Sequence, residues 1–224
     1  WKNAAIGNLV QLKVLVEGTE EAKKEFGSVD VNAKDSNNCT ALAWAARNGH
    51  MECVAYLADY GADVNLATYG GLTPLHHSVN TNKDAVVKFL LEKGADIEAA
   101  DDNGNTVMHW AATRGVLNMV SFLLDEGAKP GVRNAKGATP LMKAANCGHL
   151  GVVKRLIKAG TDVGITDEAG NSAVHVAAAT GFDHIVQALL GAGAAHSAAN
   201  GDGKTPADLA VSEAVKEVLA AAAS

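Results

Sequence analysis

Cysteine is scarce in this sequence and shows no sign of pairing. Only Cys39, Cys53 and Cys147 occur, odd in number, far apart and never as CxxC. Neither a disulfide framework nor a zinc site is indicated, and a reducing compartment is the expectation. No apolar run approaches the roughly 18 residues of a membrane span. No signal peptide is visible, although the chain opens on Trp1 rather than Met, as a processed product or a segment of a longer protein would. Basic charge is not in excess. The 19 Lys+Arg against 25 Asp+Glu leave a net charge of −6, which argues against the basic field of a general nucleic-acid binder. P-loop, Gly-x-Ser-x-Gly and His-Glu-x-x-His patterns are absent. What is present is a foldable chain of 224 residues, 48% hydrophobic and 20% charged, able to bury a core and too apolar for wholesale disorder.

The chain repeats itself every 33 residues. Thr73-Pro74-Leu75-His76 returns as Thr106-Val107-Met108-His109, Thr139-Pro140-Leu141-Met142, Ser172-Ala173-Val174-His175 and Thr205-Pro206-Ala207-Asp208, with Thr40-Ala41-Leu42-Ala43 one step before. Gly61, Gly94, Gly127, Gly160 and Gly193 keep the same spacing, as do Gly71, Gly104, Gly137, Gly170 and Gly203. The Ser or Thr is a helix N-cap, and Pro74, Pro140 and Pro206 stand at the first helical position, where a missing N–H costs nothing. Gly49, Asn82, Gly115, Gly148 and Gly181 mark the ends of these first helices. Apolar residues at helical spacing, such as Val152, Val153, Leu156 and Ile157, form a second helix. A short extended stretch and a tight turn such as Asp101-Asp102-Asn103-Gly104 close each unit. No unit buries its apolar face alone, so neighbours must stack.

The 33-residue unit with Thr-Pro-Leu-His-x-Ala resembles the ankyrin repeat. The resemblance implies an all-α fold, an ankyrin-repeat α-solenoid with short β-hairpin fingers. It is close over residues 35–224. The expected organisation is a single ankyrin-repeat domain over 1–224. Its repeats run 35–67, 68–100, 101–133, 134–166 and 167–199, with a C-terminal cap repeat at 200–224. Residues 1–34 resemble a degenerate first repeat. Its Gly7-Asn8-Leu9 through Val16 stands for a second helix and Val29-Asp30-Val31-Asn32 for the repeat end. Nine extra residues lie around Glu20-Glu21-Ala22-Lys23-Lys24-Glu25, expected to extend the outer helix or its loop. Asp208 departs from the His of the motif.

Neither enzyme chemistry nor a metal site is expected. His76, His109 and His175 share a column of 33-residue steps broken by Met142, and even adjacent steps lie a helix-packing distance of about 8–10 Å apart, too far to share a zinc ion. The resemblance implies that they are structural groups beside the capping Thr or Ser. His50 and His149 follow helix-ending glycines and read as turn residues. Cys53 falls on an apolar helix face, whereas Cys39 and Cys147 fall where exposure is open.

Function is expected where the repeat leaves residues free. The position after the His column reads Trp44, His77, Trp110, Lys143, Val176 and Leu209. Two of three tryptophans share it, and exposed tryptophan is characteristic of binding hot spots. The alternative is that each indole packs on its neighbouring repeat. Tyr69, Asp102, Asn103 and Lys136 occupy the turn tips, and Arg47 and Arg114 lie late in the first helices. Residues 134–166 carry net +4, against −3 for both 35–67 and 167–199. The resemblance implies a concave groove of first helices and tips, here aromatic and then basic. It would bind a protein segment with apolar anchors and acidic residues. Asn65 resembles a substrate for asparaginyl hydroxylation, with backbone bonding as the plainer reading. The expected role is an adaptor, scaffold or inhibitor subunit without cofactors, in the cytoplasm or nucleus. Nucleic acid, membrane insertion and self-association are not called for. The alternatives are a regulatory portion of a longer enzyme or channel, and a binder of nucleic acid or a charged small ligand through the basic patch.

Overall fold

The computed structural model describes residues 1–18 and 30–223. The expected insertion at Glu20–Glu25, and Val29, lie outside the described residues. The chain comprises two compact units, Trp1–Asp102 and Asn103–Ser224. The first holds α1 (Lys2–Ala5), α2 (Leu9–Glu17), α3 (Ala41–Asn48), α4 (Met51–Asp59), α5 (Pro74–Asn80) and α6 (Asp84–Glu92). The second holds α7 (Val107–Arg114), α8 (Leu117–Asp125), α9 (Pro140–Asn146), α10 (Leu150–Lys158), α11 (Ala173–Thr180), α12 (Asp183–Gly191), α13 (Pro206–Leu209) and α14 (Glu213–Ala222).

Within each unit, first helices pack on first helices and second helices on second helices. In the first unit α3 lies against α1 and α5, and α4 against α2 and α6; in the second, α9 lies against α7 and α11, and α10 against α8 and α12. The 33-residue period explains the core. Leu57 and Leu90 in the first unit, and Leu123, Leu156 and Leu189 in the second, are fully buried at one repeated position of the second helices. Each contributes roughly 1.5–3 kcal/mol by leaving water.

The first helices start as their caps dictate. Thr40 Oγ1 accepts from the Ala43 N–H, and Thr139 Oγ1 from the Met142 N–H. The buried histidines complete a capping box. The Thr73, Thr106 and Ser172 N–H groups donate to Nδ1 of His76, His109 and His175. Nδ1 is then an acceptor and Nε2 carries the proton. His109 Nε2 donates to Ala138 O and His175 Nε2 to Ala198 O, tying one repeat to the next. Asp208 fills the same cap position by another route, its Oδ2 accepting from the Thr205 N–H and hydroxyl.

The fingers are tight turns with isolated antiparallel bridges, Lys34–Thr40 and Thr166–Ser172. A side chain organises each turn from its base. Asp35 Oδ1 accepts from the Asn37 and Cys39 N–H groups, and Asn134 Oδ1 from those of Lys136 and Ala138. Adjacent tips are joined backbone to backbone: Asp102 N donates to Gly70 O in the first unit, and Ala135 N to Asn103 O and Glu168 N to Lys136 O in the second. The tips therefore present side chains from a fixed backbone.

Candidate functional site

In the first unit, the position after the His column is half-buried at both Trp44 and His77. Each side chain is tied to the residue nine before it. Trp44 Nε1 donates to Asp35 Oδ2 at 2.8 Å. The Thr68 hydroxyl donates to Leu72 O, so its oxygen accepts from His77 Nε2 at 2.9 Å. The Arg47 guanidinium lies 5.4 Å from the Trp44 ring centroid, a cation–π distance. Burial raises the Asp35 carboxyl, but hydrogen bonds from Trp44 and from the Cys39 and Asn37 backbone outweigh it and hold the pKa below the usual carboxylate value. Burial pushes His77 down to about 4, with the charges of Arg47 and His76 adding to the effect. At neutral pH this cluster presents a neutral imidazole, an indole whose N–H is used internally, and one cation. Tyr69 stands 80% exposed on a 3-10 turn at the neighbouring tip, and Asp102 is exposed as well.

In the second unit, Trp110 and Lys143 are brought together. With Asn105, His109 and Thr113 they line a pocket of about 170 Å³. The two come from α7 and α9, which stack directly. Arg114 follows Trp110 by one helical turn on α7, and exposed helical residues at that spacing are neighbours. Arg114 and Lys136 are exposed and Lys143 is half-buried. Asn103 is exposed at its tip, its carbonyl engaged by Ala135. Arg133, by contrast, is a strut: its guanidinium donates to Gly137 O and Thr166 O.

The cysteines, Asn65 and the turn histidines differ in their surroundings. Cys39 is buried, not exposed, because it follows the Asp35 turn into the core; burial pushes its thiol up to about 11, and Asp35 reinforces this. Cys53 is buried too, and Cys147 is half-buried. Asn65 joins consecutive repeats, its Oδ1 accepting from Asp96 N and its Nδ2 donating to Gly94 O. His50 and His149 bond back to Ala5 O and Thr113 O. Among the described residues, no group of three or more His, Cys, Asp or Glu is placed to hold a metal ion, and no helix is long and apolar enough to cross a membrane.

Sequence reasoning named the half-buried column and Asn105, but not Asp35, Thr68 and Thr113 as supports. Asp35 and Thr68 orient Trp44 and His77, and Asn105 and Thr113 shape the pocket beside Trp110. The signal for the first pair was available, since both supports precede the side chain they hold by nine residues. For the pocket there was no signal, because its wall comes from two helices a repeat apart.

A family model described as ankyrin repeats, in 3 copies, matches residues 3–101, 87–167 and 150–223. The solved ankyrin repeat domain of human ASB11 superposes with a TM-score of 0.84 at 28% identity, covering 99% of this chain and 96% of that one. That of Bcl-3, a unique member of the IkappaB protein family, gives 0.82 at 26% identity, covering 98% and 96%. The regulatory protein SWI6 of Kluyveromyces lactis is 47% identical over 51 residues, 23% of this chain but 7% of that protein. The chain thus spans a small part of the length of the curated relatives it matches.

Proposed function

From a chain that belongs to the ankyrin-repeat family, we infer a non-enzymatic protein-binding module that serves as an adaptor, scaffold or inhibitor subunit of a larger assembly. The fold is generally a non-catalytic interaction module that binds protein partners. The observation that carries the reading is the placement of Trp44, His77, Trp110 and Lys143. They occupy one repeated position that the buried core does not claim, half-exposed on first helices whose caps and tips are rigidly bonded. A pre-organised surface binds with little ordering cost, and half-exposed tryptophans supply anchors of the hot-spot kind. Three unpaired thiols suit a reducing cytoplasmic or nuclear compartment.

The test is affinity capture from a cell extract on the whole chain. Wild type is compared with a Trp44→Ala/Trp110→Ala variant and with Lys154→Ala on a second helix, each checked by thermal melting. A partner retained by Lys154→Ala and lost from the folded double variant is the expected result. Truncating an anchor should cost about 2 kcal/mol of binding. Equal capture by all three would place recognition elsewhere on the molecule.

A further inference from the structure

One turn tip in the first unit departs from the repeat. The other tips open on Asp35, Asp101, Asn134, Asp167 and Asn200. The Oδ1 of Asp35, Asn134, Asp167 and Asn200 each accepts two backbone N–H groups of its own turn. At the departing tip this residue is Thr68, which has no side-chain carbonyl or carboxylate for that pattern. Its hydroxyl proton goes to Leu72 O and its oxygen accepts from His77 Nε2. The turn closes instead as a 3-10 turn over Tyr69–Gly71, with Gly70 and Gly71 at φ +75° and +74°.

The residue it displays departs as well. The positions equivalent to Tyr69 hold Ser36, Asp102, Ala135, Glu168 and Gly201, all small or acidic. At 80% exposure no described large apolar side chain is more open than Tyr69, and its hydroxyl bonds to no described residue. Packing therefore gives no reason for an aromatic here. The backbone beneath it is held by bonds from Thr68 N to Leu72 O, Gly71 N to Thr68 O and Asp102 N to Gly70 O. An aromatic side chain on a fixed backbone loses little freedom when it is covered, as binding anchors require.

Charge says what covers it. Trp1–Asp102 carries nine Lys+Arg against fifteen Asp+Glu, a net −6, while Asn103–Ser224 carries ten against ten. Of the charged groups on the first unit's tips, Lys34 donates to Ala67 O, Asp35 holds Trp44, and Asp101 is buried. The first helices α3 and α5 add only Arg47, which lies over the Trp44 ring. Asp102 is exposed and forms no salt bridge among the described residues. Its Oδ1 lies against Gly71, where a Cβ would meet it, two residues along from Tyr69. Lys34 keeps its positive charge beside Thr68, so an incoming cation is directed to the Asp102 side of the ring.

We propose that this tip binds a basic segment of a partner protein through an arginine, its guanidinium stacked on Tyr69 and paired with the Asp102 carboxylate. A planar guanidinium can stack and pair at once, which a lysine ammonium cannot. This rests on the protein-binding reading and narrows it to one partner chemistry at one turn. The net charge of the first unit steers a basic segment toward it.

Selection of random phage-displayed peptides on the whole chain tests it, with half of the pool first depleted on Tyr69→Ala. Both variants used below are exposed substitutions, and their melting is recorded beside wild type. Peptides that survive depletion should be basic and carry an arginine. They should lose about ten-fold in affinity on Tyr69→Ala or when that arginine becomes alanine, and about three-fold on Asp102→Asn. Replacing the arginine by lysine should weaken them as well. Survivors without arginine, or survivors that bind Asp102→Asn unchanged, overturn the arginine proposal. Binders in the undepleted pool with no survivors overturn it too and leave protein binding standing. No binders in either pool would overturn both the proposal and the reading beneath it.

Discussion

Acidification should destabilise this protein through His77 before its carboxylates dominate. The native ring is held neutral: burial, Arg47 and His76 push its pKa down to about 4, and Nε2–H is committed to Thr68 Oγ1. In the unfolded chain the ring binds its proton near the ordinary value of about 6.5. Between those values the unfolded state holds the extra proton, so stability is fully present above about pH 6.5 and falls as pH drops toward 4. Near pH 4.5 the loss comes to about 2 kcal/mol after allowing for the partial exposure of the ring. A His77→Gln variant can still donate an amide N–H to Thr68 but cannot titrate. Urea unfolding of both proteins at neutral pH and near pH 4.5 isolates the effect, because all other groups titrate in each. The variant's deficit at neutral pH should shrink or reverse by about 2 kcal/mol in acid. The His77 Cε1 proton resonance should titrate near pH 4 rather than 6.5. A stability difference that is the same at both pH values, or a resonance midpoint near 6.5, would refute the reasoning.

Two other outcomes follow from backbone and burial. Gly115 adopts φ +72°, and a Cβ there would clash with His149 Nδ1, on a ring anchored to Thr113 O. Gly127, at φ +90°, has open space around it. Melting should show Gly115→Ala costing clearly more than the roughly 1 kcal/mol of left-handed strain expected for Gly127→Ala; equal costs would mean that the histidine yields. In thiol titration with Ellman's reagent on the native protein near pH 8, Cys147 should react first. Cys39, buried and pushed up to about 11, and Cys53, buried and raised, should wait for denaturant. Rapid labelling of Cys39 would show that its turn opens.

The fold was largely written into periodicity. Helix starts followed from Thr or Ser before an apolar run, because a cap is a contact between residues three apart and needs no tertiary information. The first-helix ends came close to their glycines or Asn82, since only certain residues tolerate a positive φ. The structural role of His76, His109 and His175 came from the family resemblance, and the structure shows it as a local event, each ring closing the cap of its own helix. Cys39 shows the limit. Its place just before a capping threonine left exposure undecided, and the Asp35 turn turned it inward.

The candidate surface divides along the same line. From the repeat register alone it follows that Trp44, His77, Trp110 and Lys143 share one position, and that the basic residues concentrate in 134–166. Register says which residues are equivalent, but it says nothing of what each one touches. That Trp44 spends its N–H on Asp35, that Arg133 is a strut while Lys143 faces a pocket with Trp110, and that the −6 charge falls entirely on one compact unit all depend on groups far apart in the chain meeting in space. Local spacing specifies backbone hydrogen bonds, which span three or four residues. Pockets and charge fields are sums over packed neighbours a repeat or more away, and only the stacked chain performs that sum.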